Sequence, residues 1–70
     1  MIIKAIRKDN KETQYYLSID ELRKCDNSVS FYVLKEKINT IIVLEFNRFN
    51  AIYLMNNEGK TIETLFKEGR

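Results

Sequence analysis

The chain has 70 residues with no His, no Pro, no Trp, one Cys and two Gly, and its 12 basic and 10 acidic side chains leave a net charge of +2. Histidine, a cysteine pair, clustered carboxylates and a glycine-rich phosphate loop are all missing, and these are the parts of general acid–base, zinc and nucleotide chemistry, so no enzyme, cofactor or metal site is expected. A domain this short buries only about 60% of its unfolded surface, and with neither disulfide nor metal, a homo-oligomer or a partner-stabilised fold is expected.

The opening run is interrupted by Lys4 and Arg7, too soon for a signal-peptide core or a membrane span, which points to a soluble, cytoplasmic protein. Ile2 to Lys8 is β-branched, Asp9-Asn10-Lys11-Glu12 is a polar cluster, and Thr13 to Leu17 is again strand-like, so residues 2–17 predict a hairpin. Ser18-Ile19-Asp20-Glu21 has the pattern of a capping box, and Ile19 and Leu22 share a helical face. A short helix ending at Asp26-Asn27-Ser28 is predicted there. From Val29 to Leu34 the period becomes two, a strand that breaks at Lys35-Glu36-Lys37.

Thr40 to Phe46 is apolar at both alternating sets of positions, which predicts a central strand covered on both faces or passing through a barrel wall. Asn47-Arg48 reads as a tight reversal into Phe49 to Met55. The strongest local signal is Asn56-Asn57-Glu58-Gly59, a type I turn with glycine in the left-handed region, leading into Lys60 to Phe66. The expected fold is a single α+β domain over residues 1–70, mostly β. It is a small antiparallel curved sheet or barrel in the order strand, strand, helix and a four-stranded meander, with one short helix.

Candidate binding residues follow from what this pattern exposes. Alternation puts Tyr15 and Tyr16 on opposite faces, and likewise Phe31 and Tyr32, so one member of each pair points away from the main core. Tyr16 and Tyr32 are taken as candidate anchors, able to hold a protein partner or stack a base, while the plainer alternative is that they cover a second core. Lys4 and Arg7, with Lys8 and Lys11, give the first eleven residues a surplus of positive charge, suited either to tracking phosphates or to guarding a sheet edge. Cys25 lies near a predicted helix end, where the dipole does not lower a thiol pKa, and reads as a small packing residue rather than a nucleophile.

The stretch from Leu22 to Phe49 resembles Hfq, the bacterial Sm-like RNA-binding family. Without gaps, Leu22-Arg23-Lys24 falls on the end of the family's N-terminal helix and Val29-Ser30-Phe31-Tyr32 on its first strand. Phe46-Asn47-Arg48-Phe49 falls on its Phe-Asp-x-Phe turn. The resemblance implies a ring-shaped RNA-binding oligomer in which Phe49, with Arg48 beside it, stacks uridines and Tyr32 stacks purines on the opposite face. The chain departs from the family's pattern at Ile41 and Lys35-Glu36, where the family has glycine and Asn-Gly. At Leu65-Phe66-Lys67-Glu68 it departs from a lysine-histidine signature.

These features together favour a non-enzymatic interaction module, of the kind phages and other mobile elements carry to bind and inhibit or redirect a host macromolecule, with a protein as partner. The alternatives are an Sm-like RNA-binding oligomer and an oligomer that sequesters a small molecule at a subunit interface.

Overall fold

Alternation of apolar with polar side chains marks half-buried strands and recurs along almost the whole chain. The computed structural model, which describes residues 1–69, accordingly consists of seven strands and a single turn of 3-10 helix. The strands are β1 (Ile2–Arg7), β2 (Thr13–Tyr16), β3 (Asp20–Lys24), β4 (Ser28–Lys35), β5 (Ile38–Glu45), β6 (Phe49–Met55) and β7 (Thr61–Lys67), with the 3-10 turn at Phe46–Arg48. They form two antiparallel sheets, one ordered β2-β1-β6-β7 and one ordered β3-β4-β5.

The core lies between the inner faces. Ile3, Ala5, Phe49, Ile52 and Leu54 come from the four-stranded sheet and Val29, Phe31 and Leu44 from the three-stranded one. Two aromatic pairs reach across it. Tyr16 on edge strand β2 meets Phe31 edge-on at 5.3 Å, and Phe66 on edge strand β7 stacks on Phe46 at 4.5 Å. Each such contact adds about 0.5 to 1.5 kcal/mol beyond the area it buries.

The predicted helix is absent, and a bulged strand stands in its place. Asp20 pairs with Tyr32 and Arg23 with Ser30, with the register slipping between them. Glu21 sits at a φ of 51° and Ser18 at 53°, outside the extended conformation of an N-cap. The bulge absorbs a residue, so Ile19 and Leu22, three apart, both pack on the core. Helix spacing and bulged-strand spacing coincide here, and so short a segment cannot nucleate a helix when β4 offers it a ladder.

Nor do the strands close into a barrel or follow one another as a four-stranded meander. The 3-10 turn carries the chain from β5 in one sheet to β6 in the other, so β5 and β6 are not partners. Asn47-Arg48 is part of that 3-10 turn and not a tight reversal between paired strands; the left-handed region holds Lys11, Ser18, Glu21, Glu36 and Lys37, with both glycines. β5 is therefore an edge strand with a single neighbour, and not the doubly covered central strand its composition suggests.

Two hairpins have turns whose chemistry can be tested. At the β6–β7 turn Gly59 lies at a φ of 87° and donates its amide to the Asn56 carbonyl at 3.0 Å, while Asn56 Oδ1 accepts from the amides of Glu58 (2.9 Å) and Lys60 (3.0 Å). A Cβ at Gly59 meets nothing within 4 Å, so the penalty for Gly59→Val is one of backbone conformation alone. It is expected at about 1 to 2 kcal/mol, against almost none for Glu58→Ala, in urea titrations of the two variants.

The β4–β5 hairpin turns on only two residues, Glu36 at a φ of 51° and Lys37 at 67°, between the paired Lys35 and Ile38. Primed two-residue turns match strand twist but favour Asn and Gly, because a side chain with a Cβ is strained at positive φ. Glu36→Asn is expected to stabilise by about 0.5 to 1 kcal/mol and raise Tm by several degrees in a thermal melt.

Candidate protein-interaction surface

Strand alternation decides which side chains of the three-stranded sheet face out. The pairs Val29 with Leu44, Phe31 with Ile42 and Val33 with Thr40 point into the core, so Ser30 with Val43, Tyr32 with Ile41 and Leu34 with Asn39 point away. That outer face carries Leu34 at 69% exposure, Ile41 at 53% and Val43 at 54%, beside the half-buried Tyr32. Residues 34–39 are all exposed, so the hairpin tip stands clear of the body, and Ile38 at the tip is bare as well. Scattered exposed apolar residues are ordinary; several on adjacent strands of one face mark a contact surface.

The six candidate residues do not form one site: Arg7, Arg48 and Phe49 gather beside the 3-10 turn, and Tyr16, Tyr32 and Lys4 lie elsewhere. Tyr32 lies on this outer face. Tyr16 turns inward against Phe31, its hydroxyl donating to Gln14 Oε1 at 3.1 Å, and it is Tyr15 that stands out on the other sheet. Phe49 is a core residue, 3% exposed, with the Arg7 guanidinium 5.8 Å from its ring centre, so its face is not open to a base. Lys4 sits in β1, a strand with neighbours on both sides, and so guards no edge. It stands in register with Tyr15 on β2 and Tyr53 on β6.

Most of the basic residues near the candidate phosphate track already have carboxylate partners. Arg7 donates through Nε to Asp9 Oδ1 (3.0 Å) and through Nη2 to Asp9 Oδ2 (2.9 Å), a two-pronged pair that, with the amide of Asn10, holds the Asp9 pKa down to about 2. Arg48 Nε pairs with Glu45 Oε1 at 3.1 Å, Lys8 with Glu68, and Lys24 with Glu63 across the two sheets. An exposed pair of this kind adds little stability, but it cancels the field that would draw a polyanion.

Two shallow depressions flank the 3-10 turn. The larger, about 800 Å³, mixes Lys8, Asp26, Glu45 and Glu68 with Phe46 and Phe66, and the smaller, about 300 Å³, lies between Arg7, Lys8, Asp9 and Arg48. The larger is acidic on balance, with Asp26, Glu45 and Glu68 against Lys8, and the smaller is basic, with Arg7, Lys8 and Arg48 against Asp9. Cys25 is exposed, and so is not the packing residue expected. Among the described residues no helix is long and apolar enough to cross a membrane.

The apolar outer face is hidden in the sequence because the double-sided hydrophobicity of Thr40 to Phe46 is also that of a strand buried on both sides. The overlooked signal is that nothing elsewhere in the chain supplies a layer to cover the second side. No protein-family model matches the chain, no curated protein matches it, and no solved structure matches its fold.

Proposed function

We propose that this chain is a non-enzymatic protein-binding module whose contact surface is the outer face of the β4–β5 hairpin. The observation that carries the reading is the bare row of Leu34, Ile41 and Val43 around Tyr32, on strands anchored from behind by Val29, Phe31 and Leu44. An interface of this type places an aromatic anchor and aliphatic neighbours on a rigid support, so little ordering entropy opposes binding.

A nucleic-acid reading draws on the other sheet, where Tyr15, Lys4 and Tyr53 lie side by side. Two stacking faces with one cation are a thin site for a polyanion once Arg7, Lys8 and Arg48 are paired with acids. Titration of the purified protein with single-stranded RNA at low and physiological salt separates the two readings. Weak binding that salt abolishes is expected, because only a general electrostatic attraction is left. Tight binding at physiological salt that Tyr15→Ala removes would contradict the proposal.

A further inference from the structure

We infer that two copies of this chain pair through β5, antiparallel about a two-fold axis at Ile41, joining their three-stranded sheets into one of six strands. The molecule has four sheet edges: β2, β7, β3 and β5. Proteins keep edges from pairing by making them short, charged or bulged. β2 has only four residues, β3 is bulged and carries Asp20, Glu21, Arg23 and Lys24, and β7 has two register shifts with Glu63 and Lys67 along it. β5 has none of these guards. It runs eight residues in unbroken register, with Glu45 at its end as the sole charge.

The register follows from hydrogen-bond geometry. A two-residue loop makes Lys35 and Ile38 a hydrogen-bonded pair, so Ile38, Thr40, Ile42 and Leu44 spend their amides and carbonyls on β4. Asn39, Ile41, Val43 and Glu45 direct theirs to the open edge. Centring the axis on Ile41 brings Asn39 opposite Val43 of the partner subunit and sets the turn residue Lys37, one position beyond β5, beside Glu45 of the partner subunit, at both ends of the ladder. Shifting the axis to Ile42 faces Glu45 with an asparagine instead and forfeits both ion pairs, so charge selects the first arrangement. The apolar faces of the two copies then adjoin, with Ile41 against its counterpart and Val43 and Tyr32 close by on either side.

Sedimentation velocity over a wide concentration range, with charge swaps, tests this. The wild type is expected to be dimeric, and Lys37→Glu or Glu45→Lys alone to weaken the dimer about tenfold, since each sets like charges face to face at two places. The double swap is expected to restore it. Glu45 also pairs with Arg48 within the chain, so the rescue is the decisive comparison. In a Cys25→Ser background, Ile41→Cys is expected to form an intersubunit disulfide on mild oxidation, at a Cα separation of about 5.5 Å. Asn39→Cys, about 13 Å from its counterpart, is expected not to. A monomer at every concentration, or a dimer lacking either the charge rescue or the Ile41 cross-link, overturns the inference. The pairing does not depend on the proposed binding of another protein, and Lys37→Glu leaves the apolar face intact, so the two can fail separately.

Discussion

Phe31→Ala is expected to destabilise the chain severely, at worst to the point of unfolding at room temperature. Phe31 is fully buried at the middle of β4, where the inner faces of the two sheets meet and Tyr16 packs edge-on against its ring. Truncating a buried phenylalanine costs about 3 to 5 kcal/mol, from lost transfer energy and the cavity left behind. A domain of this length has about 4 to 10 kcal/mol in total, so the loss removes a third of the stability at least and all of it at worst. Circular dichroism against temperature should show a transition lowered by well over 10 °C or no cooperative transition at all. Phe49→Ala belongs to the same class, and its effect should be read as loss of fold before loss of any surface contact.

Ile41→Lys and Val43→Lys are expected to do the reverse, abolishing association while leaving the fold as it is. Both side chains are more than half exposed on the outer face of β5 and neither touches the core. Surface substitutions of this kind change stability by about 0.5 kcal/mol or less. At an interface, a charge that must be desolvated without a partner, placed where an aliphatic anchor stood, costs several times that, so binding should fall by about a hundredfold or more. Thermal melts and an association assay on the same samples check both halves. A fold-destabilising effect would mean that the outer face is packed by something within the chain.

How much of this was legible in the sequence depends on which interaction decides each element. The hairpins at both ends are local, set by Asp9-Asn10 and by Asn56 to Gly59, and turn chemistry reads directly from residue identity. Residues 18–25 turned on a contest that local pattern cannot judge. A capping box and an i, i+3 apolar pair fit a helix as well as they fit a bulged strand, and the ladder to β4 is a long-range fact. The same holds for β5. Thr40 to Phe46 has the composition of a buried strand, but its place at the edge follows from the 3-10 turn that sends the chain to the other sheet.

Among the candidate residues, Tyr32 emerged on the outer face because alternation with the buried Phe31 requires it. Tyr15 and Tyr16 alternate too, but which of the two faces inward depends on the register of β2 with β1, where Tyr16 lies opposite the buried Ile3. Phe49 and Arg48 are neighbours in sequence with opposite fates, one at the start of an inward-facing strand and the other on the exposed turn beside Glu45. Lone basic residues could be counted from sequence; that Arg7, Lys8 and Arg48 each meet an acid could not.

The claim that the bare face of β4–β5 is the working surface is tested most directly by site-specific photocrosslinking in the cells that naturally express the chain. A photoreactive residue is placed at Leu34 or Val43 on that face, or at Thr64, which stands level with Tyr53 on the opposite sheet. Discrete adducts with another protein are expected from positions 34 and 43 and none from 64. Adducts from 64 with none from 34 and 43, or the same adducts from all three, would contradict it.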